Sequence, residues 1–252
     1  MSVLIGSTGF VGSHLSRQHV FKHRVHRTDI ESIIGLETDL LVCAGLPAEK
    51  WRANSDPESD WTNMVHLSQV LTSLRAERAI LISTIDVYQP AIEVDETTSA
   101  SFNGNEAYGM HRAWFEALFK SCFTNTLIIR LPGLFAKDVR KNLVHDLLNN
   151  RLDQLSSVNP NSMFQFFDVT QTWEIINKAS SNGIELLNIT SEPISAKQIA
   201  DLFNISLKGS SPPVSYDMKS IHANEFGGSN GYLFNQTSIL GGIQAIHEDL
   251  VK

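Results

Sequence analysis

Val3-Leu4-Ile5-Gly6-Ser7-Thr8-Gly9-Phe10-Val11-Gly12 sets an apolar triplet directly before a Gly-x-x-Gly-x-x-Gly turn, and residues 11–20 then repeat apolar positions at helical spacing. A buried strand therefore runs through a tight turn into a helix N-terminus. In that context Gly6 permits the turn, Gly9 lets the backbone approach a bound phosphate, and Gly12 allows helix and strand to pack closely. The helix N–H groups and dipole favour an anion at the same point. The pattern points to a nucleotide whose phosphates lie against Gly6, Thr8, Gly9, Phe10, Val11 and Gly12.

Outward from this turn, short apolar runs alternate with longer helical patterns. Strands are expected at residues 3–5, 24–28 (weak), 39–44, 79–83 and 126–131, with helices at 11–20, 60–74 and 107–123. A helix at 170–181 and a strand at 185–190 follow. This alternation predicts an α/β fold: a Rossmann-type doubly wound parallel sheet. Beyond Pro132 the pattern loosens into shorter helices, which predicts a small C-terminal substrate lobe closing over the first. The expected division is 1–132 with 164–190 for the dinucleotide-binding domain, and 133–163 with 191–252 for the small lobe. Residues 97–105 and 206–213 read as loops. Only residues 29–37 separate the second strand from the third, too few for a further strand–helix pair. The adenosine side is thus abbreviated. Arg27, near the end of the second strand, is a surface arginine or the receiver of a 2′-phosphate, so the cofactor is NAD or NADP with a lean toward NADP.

Composition narrows the function classes. The chain has 252 residues, 19% of them charged, and a formal net charge of -7. That is enough chain for a sizeable core, and the negative balance opposes binding to nucleic acid or an anionic membrane surface. There is no apolar stretch of spanning length and no leader-like segment before the first strand, so a cytoplasmic protein with no membrane partner is expected. Cys43, in an apolar run, and Cys122, in a helical pattern, read as reduced thiols. The nine histidines form no His-Glu-x-x-His pattern, and no metal is expected.

The chemistry-bearing residues come later. In Ile80-Leu81-Ile82-Ser83-Thr84-Ile85-Asp86-Val87-Tyr88 an apolar strand ends in hydroxyl groups, placing Thr84 at the carboxyl edge of the sheet, where α/β proteins bind ligands. Tyr108 and Arg112 stand four residues apart, one helical turn on a common face. A phenol with an ordinary pKa of about 10 is a poor base at neutral pH; a fixed cation beside it favours phenolate, by about 1.36 kcal/mol for each pKa unit. Ser83 reads as a strand-end hydrogen-bonding residue. Asp86 either orders its loop or removes a proton beside a carbonyl. Lys50-Trp51 and Arg140-Lys141 either line an anionic pocket or cover the surface. Trp114, Phe115, Leu118 and Phe119 recur at helical spacing, as packing residues do.

These residues together resemble the extended short-chain dehydrogenase/reductases, the group of NAD-dependent sugar-nucleotide epimerases and dehydratases. The resemblance covers nearly the whole chain. Gly6, Gly9 and Gly12 match the family's cofactor loop. Cys43, Ala44 and Gly45 lie at its next cofactor turn, and Asp56-Pro57 with Asn63 look like its following helix. Thr84 matches its catalytic serine or threonine, and Tyr108 its catalytic tyrosine. The resemblance implies that Ser83, Leu131 and Pro132 contact the cofactor, and that Asp86, Gly133, Asn142 and Leu143 contact the substrate. It also implies a homodimer and a sugar or sugar-nucleotide substrate. Three positions depart from the family pattern. Arg112 replaces the usual lysine, keeping the charge and able to bind ribose hydroxyls but not to pass on a proton. Phe164 stands where an arginine commonly meets the substrate pyrophosphate, and Gly133 where asparagine is frequent. The expected function is an NAD(P)-dependent epimerase-, dehydratase- or reductase-type oxidoreductase. The alternative is a catalytically weakened nucleotide-binding regulatory or scaffold protein of the same fold.

Overall fold

The computed structural model describes residues 1–102 and 104–251, the side chain of Val251 apart; Asn103, inside the expected loop 97–105, lies outside the described residues. The chain divides into two compact units. The first comprises Met1–Pro90, Thr98–Arg130 and Thr170–Leu187; the second comprises Ala91–Thr97, Leu131–Val169 and Asn188–Lys252.

The first unit is a Rossmann-type parallel sheet flanked by helices. Its leading strands are β1 (Ser2–Ile5), β2 (His23–Val25), β3 (Glu37–Cys43) and β4 (Arg75–Thr84). In sheet order they follow strands Leu186–Asn188 and Thr126–Leu131 as β4, β3, β1 and β2. Parallel registers place Ile5 beside Val25 and Cys43, and Cys43 beside Leu81. Alternation along the strands sends side chains to opposite faces. Val3, Ile5, Leu41, Cys43, Ala79 and Leu81 form one core with residues of helices α3 (Pro57–Leu71) and α4 (Ala107–Cys122), which follow α1 (Phe10–Gln18) and α2 (Lys50–Ser55). Leu4, Val42 and Ile80, also buried, face the other way. α1 packs there on helix Thr172–Ser181, with His19 stacked on Trp173 at 4.0 Å.

Several bounds differ from the sequence expectation for identifiable reasons. α3 starts at Pro57, not residue 60, because the Asp56 side chain accepts the Ser59 N–H at 3.1 Å and proline suits the first helical position. β4 starts at Arg75, not 79, because its polar first half pairs with β3 through Glu37–Arg75 and Thr38–Ala76, contacts that apolarity does not signal. β2 is the sheet edge, and a 3-10 turn at Ile30–Ile33 takes the place of a further strand–helix pair.

The second unit is built from short pieces. Strand Gly133–Phe135 pairs in parallel with Phe166–Asp168, Met163–Phe164 pairs antiparallel with Ile194–Ser195, and Asp217–Met218 pairs with Ile92–Val94. Gln165, 2% exposed, joins two of these segments: its amide donates to the Ser191 and Met218 carbonyls at 2.6 and 2.8 Å and accepts the Met218 N–H at 2.8 Å. A buried amide needs such partners, and these tie distant chain segments at one point. Ser195 and Gln198 form a capping box that starts helix Ala196–Asp201.

Candidate active site

The glycine turn is shaped by close backbone approaches. Gly6 has φ +82°, and a Cβ there would meet the Ala44 carbonyl oxygen at 2.4 Å; a Cβ on Gly12 would meet the Gly6 carbonyl at 2.0 Å. Neither position accepts a side chain. The turn is thereby locked against Ala44 and Gly45 at the end of β3. Gly9 differs: a Cβ would meet only the Gly6 carbonyl, at 3.3 Å. Gly9 is the N-cap of α1, in extended conformation, and no side chain caps the helix or places a carboxylate in its first turn. The leading N–H groups of α1 have no intrahelical partner by geometry, so this end is an uncompensated positive pole. Those features fit a dinucleotide pyrophosphate.

A second constellation lies in the same unit. Thr84 ends β4, and its oxygen accepts the Asp86 N–H at 3.2 Å. The Thr84 hydroxyl donates to Asp86 Oδ2 at 3.3 Å, and Thr84 and Asp86 are among the groups that act on the Tyr108 phenol. α4 can bring Tyr108 to this strand end because the next residue is Gly109, where a Cβ would stand 2.0 Å from the Asp86 carbonyl oxygen. Asn105 Nδ2 donates to that carbonyl at 3.0 Å, and the Tyr108 N–H donates to Asn54 Oδ1 at 2.9 Å. Lys50, opening α2, donates to Asp86 Oδ1 at 2.9 Å and lies 3.3 Å from Glu106.

Arg112 turns elsewhere. It is 1% exposed; its Nη2 donates to Asp60 Oδ1 at 2.8 Å and to the Pro47 carbonyl at 2.6 Å, and its Nη1 donates to Asp60 Oδ2. His111 Nδ1 meets the same carboxylate at 2.8 Å. The guanidinium also lies over the Tyr108 ring, 4.0 Å from its centroid, a cation–π contact. Its Nε is buried and has no hydrogen-bond partner among the described residues. Burial opposes ionisation of Asp60, but the hydrogen bonds and charges of Arg112 and His111 outweigh it and hold the carboxyl below its ordinary range. For Tyr108 the balance goes the other way. Burial pushes the phenol up, Asp86 adds to the rise, and Arg112, Thr84 and Lys50 offset only part of it. Arg112 does favour the Tyr108 phenolate, as expected, but burial of the phenol outweighs it and the net shift is upward.

The other candidate residues have more structural surroundings. Ser83 donates to Glu116 at 2.6 Å, and Glu116 pairs with the buried Arg130, which also donates to Tyr88 at 2.5 Å. Burial raises the Cys43 thiol to about 12, against an opposing hydrogen bond from Gly45, so it stays a neutral packing group. Arg27 is exposed, with Nη1 3.4 Å from Asn63 Oδ1. Both border a small cleft of about 130 Å³ with Pro47, Asp56, Ser59 and Asp60. Leu131, Pro132, Gly133, Asn142 and Leu143 belong to the second unit. There Asn142, at φ +99°, donates to the Leu134 carbonyl at 2.7 Å and caps helix Leu143–Leu148, while Gly133 is pressed against Gln165 and Phe166. Among the described residues no group of three or more His, Cys, Asp or Glu side chains could hold a metal ion, and no helix is long and apolar enough to cross a membrane.

Sequence reasoning missed Asp60 as the partner of Arg112 and Lys50 as the partner of Asp86. Asp60 carried a usable signal, an acidic residue on a helix face that must be buried; Lys50 carried only its position shortly after the Ala44-Gly45 turn.

No protein-family model matches the sequence, and no curated protein matches it. Solved structures share its fold. A dTDP-4-dehydrorhamnose reductase from Clostridium acetobutylicum superposes with a TM-score of 0.75 at 15% identity, covering 100% of both chains. The dTDP-4-dehydrorhamnose reductase from Yersinia enterocolitica gives 0.73 at 15%, covering 98% of this chain and 99% of that one. MoeE5 in complex with UDP-glucose and NAD gives 0.74 at 13%, covering 100% and 99%.

Proposed function

We propose that the protein is an NAD(P)-dependent oxidoreductase of the epimerase, dehydratase or reductase type, acting on a hydroxyl or carbonyl of a sugar or sugar nucleotide. The observation that carries this reading is the close approach of α4 to the end of β4 at Gly109 and Asp86, which sets Tyr108 beside the Thr84 strand end, in the same unit as an uncapped, glycine-walled helix N-terminus. The substrate class is supported by solved proteins of the same fold, one of them in complex with UDP-glucose and NAD.

In this reading Gly6, Thr8, Gly9, Phe10, Val11 and Gly12 hold the pyrophosphate, with Cys43, Ala44, Gly45 and Ser83 beside the cofactor. Arg27 takes a 2′-phosphate where NADP is used. Arg112 is assigned to a ribose hydroxyl, and its guanidinium steadies the Tyr108 ring. Leu131 and Pro132 are assigned to the nicotinamide end, and Asp86, Gly133, Asn142 and Leu143 to the substrate. When bound, the nicotinamide supplies hydride exchange with the substrate carbon. Thr84 positions the reacting oxygen. Tyr108 donates or removes its proton, and the raised phenol suits the proton-donating direction. The second unit is assigned to substrate binding, and a homodimer in the cytoplasm is the proposed setting.

The test is nicotinamide absorbance with NAD(H) and NADP(H) against a panel of nucleotide sugars and their keto forms. Wild-type turnover is expected, with a loss of about 10²- to 10⁴-fold in Tyr108→Phe and little change in cofactor affinity. Full turnover in Tyr108→Phe removes the assigned role. The engagement of Arg112 by Asp60 favours a second reading, a nucleotide-binding regulator without turnover; tight cofactor binding with no redox change across the panel selects it.

A further inference from the structure

Helix α4 meets the end of β4 at Gly109 and at Glu116, which lie on one face two helical turns, or about 10 Å, apart. At Gly109 the helix backbone is pressed on the Asp86 carbonyl. At Glu116 there is a buried network. Ser83, the neighbour of Thr84 in β4, donates to Glu116 Oε1 at 2.6 Å. Arg130, on strand Thr126–Leu131, donates through Nε to the same oxygen at 3.0 Å and through Nη2 to Oε2 at 2.6 Å. Its Nη1 donates to the Tyr88 hydroxyl at 2.5 Å, and all four side chains are buried. We propose that Glu116 is a positioning residue: its carboxylate fixes α4 against the strand end and, with Arg130, clasps the segment from Ser83 to Tyr88 at both ends, so that Thr84 and Tyr108 keep their relative place. The inference rests on reading Thr84 and Tyr108 as the reacting pair.

Thr84 lies inside the clasped segment. Beyond it the chain leaves the strand and makes a single 3-10 turn, Ile85–Val87, in which the Asp86 N–H donates to the Thr84 oxygen at 3.2 Å and the Tyr88 N–H to the Ile85 carbonyl at 3.0 Å. A turn this short holds its shape weakly by itself. Arg130 grips its far end, since the guanidinium both donates to the Tyr88 hydroxyl and lies over that ring, 4.8 Å from the centroid. Packing alone would be served by apolar side chains at 116 and 130, because a buried ion pair is a costly route to stability. What the pair adds is direction. A hydroxyl, a carboxylate and a guanidinium bond only within narrow distances and angles, so α4 cannot slide or turn on β4 without breaking them. Arg112 ties the same helix to α3 through Asp60; Glu116 ties it to the strand that carries Thr84.

The test is amide hydrogen exchange, read residue by residue by NMR on the full chain without ligand, in Ser83→Ala, Ser83→Thr and Glu116→Gln. The reporting amides are Asp86 and Tyr88 in the clasped segment and Tyr108 and Met110 at the start of α4, each hydrogen-bonded in the wild type. Ser83→Ala removes the link and leaves the ion pair; it should speed exchange at these amides by about tenfold or more relative to the amides of β1 and β3. Glu116→Gln should act more strongly, and Ser83→Thr, which keeps the hydroxyl, should restore protection. With a substrate from the nucleotide-sugar panel, kcat should fall about tenfold or more in Ser83→Ala while the KM for the dinucleotide stays within about threefold of wild type, and kcat should recover in Ser83→Thr. Reporting amides that exchange as in the wild type, or that speed up only as much as β1 and β3, overturn the proposal, as does wild-type kcat in a loosened variant. Ser83→Ala decides the matter where Glu116→Gln does not fold. Wild-type protein without NAD(P) binding or turnover sinks the reading of the reacting pair instead, and the exchange rates still answer for the clasp.

Discussion

Two ion pairs act on Tyr108, and they are built in opposite ways. Arg112 and Asp60 have side chains only 1% and 4% exposed, with two parallel guanidinium hydrogen bonds and His111 on the same carboxylate. Lys50 and Asp86 are 39% and 19% exposed and meet at 2.9 Å. A buried, bidentate pair is rigid: each charge depends on the other, and it supports a ring without responding to chemistry. A half-exposed pair contributes little to stability and can rearrange. The difference separates a charge locked into the core from one that can still rearrange.

Breaking the rigid pair should produce the largest effect. Asp60→Ala leaves the Arg112 guanidinium buried without compensation and should cost about 3–5 kcal/mol in chemical denaturation. The same pair sets an acid limit. Asp60 ionises below the ordinary carboxylate range in the fold, so its contribution is fully present above the unfolded value of about 3.9 and is lost as pH falls through the lower folded value. Asp60→Asn should flatten this part of the stability–pH curve. An unchanged acid limb would show that the pair carries no such linkage.

Gly109→Ala attacks the seam where α4 meets the end of β4. A Cβ 2.0 Å from the Asp86 carbonyl requires backbone movement, expected to cost about 1–3 kcal/mol and to separate Tyr108 from Thr84. Loss of turnover with a lower melting temperature is the predicted result. The smallest stability change belongs to the exposed pair: Lys50→Met should fall within about 0.5 kcal/mol of wild type. A large loss there would erase the contrast between the two pairs.

Much of the fold was legible because burial on both sheet faces leaves continuous apolar runs such as Val3–Ile5 and Ile80–Ile82, and because Gly6 and Gly12 occupy positions that no other residue fits. What escaped was set by pairing. The polar start of β4 is strand only because β3 lies beside it. Thr84 and Tyr108 were readable from their places at a strand end and a helix start, whereas the surroundings that decide their ionisation were not. Asp60 and Arg112 are 52 residues apart, and Lys50 and Asp86 are 36 apart; each pair exists only through tertiary packing. The departure of Arg112 from lysine was visible, but its burial against Asp60 was not.

Gly9 offers the most direct test of the dinucleotide placement, since a side chain there meets only the Gly6 carbonyl oxygen, at 3.3 Å, and needs a shift of a few tenths of an ångström where Gly6 and Gly12 allow none. Gly9→Asp should cap α1, offsetting the tight contact with Gly6, and leave stability within about 1 kcal/mol of wild type, while its carboxylate occupies the proposed phosphate position. In calorimetric titration with NAD and NADP, the wild type is predicted to bind one dinucleotide per chain and the folded Gly9→Asp variant none. Wild-type protein that binds neither, or a variant that binds as tightly as wild type, contradicts a cofactor at this helix.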